Sequence, residues 1–146
     1  LALQKMQDSN ASAQMLTQSL QHRLRVNVDE ILTGIESIPD LVVVSDEASP
    51  IIHVALSEDA KEDLNDDETN VLATIASYVR DHGHVFIVHS KYISSAPNLR
   101  VVGEKSATFQ PGHPRPTIRI VASALHTADD IDRLVLYLTR AVERAC

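Results

Sequence analysis

One arginine lies inside an apolar segment, where its guanidinium could bind an anion. Arg119 stands between Ile118 and Ile120 in a run of residues that favours a β-strand. A charge in such a strand is costly unless it is paired or faces a cavity. The planar guanidinium suits a carboxylate ligand. Arg119 is therefore the candidate residue for binding a carboxylate ligand. The alternative is a strand arginine that is exposed on the outer face or paired with a helix carboxylate.

Histidines form the second group of candidates. His53 lies in another apolar segment, where most histidines are hydrogen-bonded core or edge residues. His82, His84 and His89 cluster in the sequence, but a zinc site needs further ligands nearby and no cysteine or carboxylate pattern supplies them. We interpret this cluster as the polar end of a helix followed by strand side chains. The sequence predicts no metal site.

The spacing of other residues excludes three common kinds of site. No two of the four glycines are close enough for a dinucleotide fingerprint or a phosphate-binding loop. No serine lies between glycines as in a hydrolase elbow. A calcium-loop spacing begins at Asp63, Asn65 and Asp67. It fails because Glu68 stands where the loop needs glycine and Thr74 stands where it needs glutamate.

The charge and the cysteine content of the chain limit its function further. The 146 residues carry 13 Lys and Arg against 20 Asp and Glu, a net charge of −7. Much of the negative charge lies in residues 57–70, which we interpret as a solvated loop or helix start. With no basic cluster, this balance argues against nucleic-acid binding. Cys146 is the only cysteine of the sequence, so an internal disulfide is impossible.

Hydrophobic periodicity predicts an α+β fold that positions these residues. Apolar residues at three- and four-residue steps predict a helix over residues 1–38, ended by Pro39 and with a break at residues 8–10. The later elements are strands 41–44 and 50–56, a helix from Asp66 or Asp67 to Gly83, strands 85–88 and 117–124, and a final helix. A long irregular connection covers residues 94–115. We expect a small, mostly antiparallel sheet with helices packed on it.

Residues 116–131 resemble the C-terminal signature of the α-oxoamine synthases. That signature is an Ile-Arg strand, small residues, a His-Thr pair and an acidic-capped terminal helix; here the pair is His126 and Thr127. Residues 40–56, with the sequence SPIIH at residues 49–53, are similar to the segment that opens the small domain of this family. Within the family, SPIIH and the sequence VFIVHSKY from Val85 to Tyr92 most resemble the non-catalytic (subunit 1) type of serine palmitoyltransferase subunit.

The resemblance implies that the chain is the C-terminal part of a longer polypeptide. Residues 1–38 would then be a helical lead-in from a large α/β domain. Residues 39–146 would be the small domain found in fold-type-I aminotransferase-like enzymes. In this family pyridoxal phosphate is bound by a lysine of the large domain. The lysines of this chain lack the small-residue setting of that lysine: Lys5, Lys61, Lys91 and Lys105. We therefore expect pyridoxal phosphate in the parent complex and none bound by this chain alone.

The resemblance also implies a function. The family condenses an amino acid with an acyl-CoA and releases carbon dioxide, and serine palmitoyltransferase joins serine to palmitoyl-CoA in sphingolipid biosynthesis. We expect this chain to be non-catalytic by itself and to support a catalytic subunit of the same family in a heterodimer, or a second copy in a homodimer. The expected location is the cytosolic face of the endoplasmic reticulum membrane, with attachment through regions outside this chain. Arg119 matches the family arginine that binds the substrate carboxylate, and we interpret Thr127 first as a helix cap with Asp130.

Two other interpretations remain open from the sequence. The chain could be the same domain of a catalytic α-oxoamine synthase, in which Arg119 would bind the carboxylate of the amino acid; such a synthase would be cytoplasmic. It could instead be a free-standing small ligand-binding or regulatory module. The long apolar stripe of the first helix argues against the module, because it needs more surface than the short strands provide.

Overall fold

The computed structural model describes residues 2–64, 67–85, 87–90 and 115–146. Within these ranges the chain forms four helices and four strands. In chain order they are α1 (Ala2–Glu36), β1 (Leu41–Val43), β2 (Ile51–Leu56), α2 (Glu58–Glu62), α3 (Glu68–Gly83), β3 (Val88–Ser90), β4 (Thr117–Val121) and α4 (Ala128–Ala145).

The four strands make one antiparallel sheet in the order β1-β2-β4-β3. Val43 lies opposite Val54 between β1 and β2. Arg119 of β4 lies opposite His53 on one side and opposite Val88 on the other. The predicted α+β fold, a small antiparallel sheet with helices packed on it, is confirmed.

The hydrophobic core covers one face of this sheet. Alternation along β2 and β4 turns every second side chain toward the helices, because side chains in a strand point to opposite faces in turn. The core side chains are almost entirely aliphatic and include Ile52, Val54, Ile118 and Ile120 from the sheet and Ile31, Ile35, Leu72, Ile75, Val79 and Leu138 from the helices. Fully burying one such side chain contributes about 1.5–3 kcal/mol. The core therefore fixes which residues of β4 face outward.

Helix α1 is continuous, so the predicted break at residues 8–10 is wrong. The polar side chains there are exposed and lie among good helix formers, which leaves the backbone hydrogen bonds of the helix intact. The helix packs on the domain only through its last third, at Asn27, Val28, Ile31, Leu32 and Ile35. Residues 2–23 are exposed, including Leu3, Met6, Met15 and Leu16.

Three local predictions differ from the structure. The acidic run contains a short helix, α2, that the sequence did not indicate; the Ser57 side chain caps it by accepting a hydrogen bond from the Ala60 backbone N–H. Strand β3 occupies residues 88–90 instead of 85–88, and β4 ends at Val121 instead of residue 124. Helix α3 ends at Gly83 as predicted, but the left-handed residue after it is His84, with φ of 54°.

The predicted irregular connection, residues 94–115, lies outside the described residues except for Arg115. Among the helices of the described ranges, none is both long and apolar enough to cross a membrane.

Candidate functional site

Arg119 lies on the outer face of the sheet, away from the core. Its neighbours Ile118 and Ile120 are buried, whereas Arg119 is exposed. This position agrees with the first of the two alternatives given above, a strand arginine that is exposed on the outer face. The second alternative, a pairing with a helix carboxylate, is not found among the described residues. Its guanidinium is therefore available to an anion from outside this part of the chain.

His53 lies directly beside Arg119 on the neighbouring strand. It is half-buried, with its Nδ1 3.2 Å from the Thr117 hydroxyl, and its backbone N–H donates to the Ser45 hydroxyl at 3.1 Å. Burial, and secondly the charge of Arg119, lower the pKa of His53 below its usual value. Both causes disfavour the protonated imidazolium. At neutral pH the pair is thus one cation beside one neutral imidazole.

An apolar edge borders this pair. Ile51 and Val121 lie opposite each other in register. They are on the same face as the His53–Arg119 pair, two residues further along each strand, and are 43% and 55% exposed. A guanidinium binds a carboxylate well, and a neutral imidazole can add one hydrogen bond. We refer to Ile51, His53, Arg119 and Val121 as the sheet-face site. These groups together can bind and orient a carboxylate that carries an apolar part.

A buried arginine anchors the start of β4. The Arg115 side chain is only 9% exposed and pairs with Glu58 and Glu68, each at 3.4 Å. It also donates a hydrogen bond to the backbone carbonyl of Leu56 at the end of β2. Lys61 contacts the same two carboxylates at 3.3 and 3.9 Å. This network ties α2 and α3 to β4 just ahead of the sheet-face site, and so positions Arg119.

The sequence interpretation missed this network. The sequence predicts a solvated loop or helix start over residues 57–70, yet the Glu68 side chain is only 17% exposed. The available signal was a basic residue, Arg115, placed directly before a strand in a chain whose acidic residues are concentrated elsewhere. Arg115 lies far from Glu58 and Glu68 in the sequence, so local spacing could not predict that they pair.

The His-Thr pair of the family signature lies in the turn between β4 and α4. The Thr127 side chain accepts from the Asp130 N–H and the Thr127 N–H donates to Asp130, so the predicted capping box is confirmed. The Thr127 N–H and, secondly, the Thr127 hydroxyl both donate to the Asp130 carboxylate and lower its pKa. The buried Asn27 amide donates to the Ser123 and His126 carbonyls at 2.8 and 3.0 Å. Thr127 thus acts as a helix cap, and Asn27 joins this turn to α1.

The three histidines that cluster in the sequence, His82, His84 and His89, lie in different structural settings. His82 stacks on Tyr78, with 4.2 Å between ring centroids, and its Nδ1 lies 3.1 Å from the Tyr78 carbonyl. His84 is the capping residue that follows the last residue of α3, and His89 lies in β3 opposite Ile118. The part of the chain that the structure describes holds no group of three His, Cys, Asp or Glu side chains arranged for a metal.

Neither described lysine fits the role of binding pyridoxal phosphate. That role needs a free amine in a pocket. Lys61 is held between Glu58 and Glu68, and Lys5 lies on the exposed part of α1. The other two lysines, Lys91 and Lys105, lie outside the described residues. No chemical step of this chain is therefore assigned to that cofactor.

Comparison with known proteins adds no relative. The sequence matches no protein-family model, and no curated protein matches it. The resemblance to the α-oxoamine synthases therefore rests on the quoted motifs.

Proposed function

We propose that this chain is the C-terminal part of a serine palmitoyltransferase subunit of the non-catalytic type. In this role it supports a catalytic subunit of the same family, which condenses serine with palmitoyl-CoA. The observation that carries the proposal is the exposed Arg119 beside a neutral His53, within a strand that resembles the family signature. An arginine kept unpaired on a sheet face is suited to a carboxylate or to a partner surface.

The α+β fold agrees with this proposal. On the face of the sheet opposite the core, Arg119, Ile51 and Val121 are exposed, whereas Ala55 and Thr117 on the same face are buried. The exposed apolar stripe of α1, residues 2–23, agrees with a helix that continues onto another body of protein. In the proposed complex, pyridoxal phosphate belongs to the parent enzyme, and membrane attachment at the endoplasmic reticulum lies outside this chain.

A second candidate is the same domain of a catalytic α-oxoamine synthase. The absence of an ion-pair partner for Arg119 among the described residues favours it, because an arginine that binds substrate must be free to do so. The two candidates differ in the large domain: the catalytic synthase carries the cofactor-binding lysine there and the supporting subunit does not.

A hybrid subunit tests the first candidate. The chain would replace the C-terminal domain of a subunit 1 in cells that lack their own copy, and serine palmitoyltransferase activity would be measured in membranes. We expect activity to be restored. A hybrid that is expressed and assembled at the normal level, yet restores no activity, would contradict the proposal.

Arg119→Ala in the same hybrid separates the two candidates, with Arg23→Ala on the exposed part of α1 as the matched control. If Arg119 supports the complex without touching serine, the KM for serine stays unchanged in both variants. If Arg119 binds the serine carboxylate, Arg119→Ala alone raises that KM by about tenfold or more, as expected for a lost charge-assisted hydrogen bond. The second result would favour the catalytic synthase.

A further inference from the structure

The geometry points to a second ligand site, a cavity that binds a small carboxylate with an aliphatic tail. The cavity has a volume of about 250 Å³. It lies between α1, α4, the end of β4 and the segment that precedes β3. We refer to it as the α4 cavity.

The inner part of the α4 cavity is apolar and preformed. Ile31, Ile87, Ile120 and Leu134 line it, and each is at most 4% exposed. These residues come from four different parts of the fold, so their positions are fixed by the core. A volume of about 250 Å³ corresponds to about eight water-sized groups. A carboxylate with a branched tail of five carbons fills such a space.

The polar end of the cavity offers hydrogen-bond donors. Arg133 lines the cavity, is exposed, and forms no ion pair with a described residue. His126 also lines it, and its Nδ1 accepts a hydrogen bond from the Ser123 N–H at 3.2 Å. The neutral ring therefore carries its proton on Nε2, which leaves that N–H as a donor. Arg133 and His126 both line the cavity, and a guanidinium together with an N–H donor can bind a carboxylate.

Two more residues at the cavity refine the choice of ligand. Asp130 lines it with a carboxylate whose Oδ2 is already held by the Thr127 N–H and hydroxyl at 2.9 Å each. Its charge would favour a ligand that carries an ammonium group as well as a carboxylate. His84 lines it too, and among the described residues it is the non-glycine residue with positive φ. Such backbone strain is frequent at ligand sites.

The α4 cavity and the sheet-face site use different charged groups. Ile120 lines the cavity from the core side of β4, whereas Arg119 lies on the opposite face of the same strand. Val121, at the end of β4, belongs to both sites. The inference rests on Arg133 and His126 and not on Arg119, so it does not depend on the function proposed for the chain.

Calorimetric titration of the chain with 4-methylpentanoate tests the inference. We expect saturable binding of one molecule, with the ring signals of His126 shifted in a parallel NMR titration. The neutral analogue 4-methylpentanamide should bind about tenfold more weakly or worse, because it lacks the charge that Arg133 recognises. Leucine has the same tail plus an ammonium group. If leucine binds more tightly than 4-methylpentanoate, a free amino acid is the natural source of this chemistry; if not, a simple carboxylate is.

Arg133→Gln provides the decisive variant, and Arg140→Gln is the matched control on the same helix. Arg140 lies away from the cavity, 5.5 Å from the centroid of the Tyr137 ring. We expect about ten- to hundredfold weaker binding for Arg133→Gln and unchanged binding for Arg140→Gln. Both residues are exposed, so both variants should keep the wild-type melting temperature. Absence of saturable binding up to about 10 mM, or equal affinity of Arg133→Gln and wild type, would overturn the inference.

Discussion

Replacing Arg115 by methionine should lower the free energy of unfolding by more than is usual for the replacement of a charged residue. The change leaves the Leu56 carbonyl without its donor and leaves Glu58 and Glu68 without their buried cation. Removing one partner of a fully buried ion pair costs about 3–5 kcal/mol. Glu58 and Glu68 keep 33% and 17% of their side-chain surface exposed, and Lys61 remains beside both. After discounting for this solvent screening we expect a loss of about 2–3 kcal/mol.

Urea unfolding of the chain measures this loss directly. For Arg115→Met we expect a lower midpoint with an unchanged dependence on urea, and a melting temperature about 5–10 °C lower. Lys61→Met is the matched control: its side chain is 32% exposed, and it contacts the same carboxylates at 3.3 and 3.9 Å. The control should cost about 0.5 kcal/mol. If Arg115→Met costs no more than Lys61→Met, the claim that Arg115 anchors β4 is refuted.

Three more predictions concern pH, capping and packing. Because the pKa of His53 is lowered in the folded chain, the unfolded chain binds a proton there more readily, and the free energy of unfolding should fall as pH drops below 6.5. Urea unfolding at two pH values should show a smaller fall for His53→Gln than for the wild type. Thr127→Ala should lose about 1 kcal/mol through the missing cap, whereas Thr33→Ala, an exposed change in the last turn of α1, should be close to neutral in the same unfolding assay. Gly34→Ala should lower the melting temperature because its Cβ would collide with Val135, and adding Val135→Ala should restore it.

The outward position of Arg119 was predictable because alternation in a half-buried strand leaves only two choices. Once Ile118 and Ile120 face the core, Arg119 must face outward, and the structure has this arrangement. The position of β3 was less predictable. Residues 85–88 are an apolar run with the composition of a strand, but the pairing with β4 begins at Val88, opposite Arg119. The boundaries of such a strand depend on its register with the partner strand. The sequence of the segment alone does not show that register.

The end of α3 shows how packing can determine the use of a glycine. Gly83 ends the helix as predicted, but the left-handed conformation belongs to the next residue, His84. A Cβ on Gly83 would lie 3.0 Å from the Tyr137 ring, so the glycine allows close approach of α4. That requirement comes from helix packing and leaves no trace in local sequence.

The anchoring of β4 by Arg115 was outside the reach of sequence patterns for a similar reason. Arg115 bonds Glu68 and Leu56 across separations of 47 and 59 residues. Local periodicity reports on neighbours within a few turns or strand steps. The α4 cavity was hidden in the same way, since four distant parts of the chain meet to form it.

Sequencing the source transcript upstream of Leu1 tests the proposed function most directly. The proposal predicts an α/β large domain of the α-oxoamine synthase type that lacks the cofactor-binding lysine. The same domain with that lysine would favour a catalytic synthase, with Arg119 as its carboxylate-binding residue. A transcript that encodes no such domain would contradict both enzyme proposals and favour a free-standing binding module.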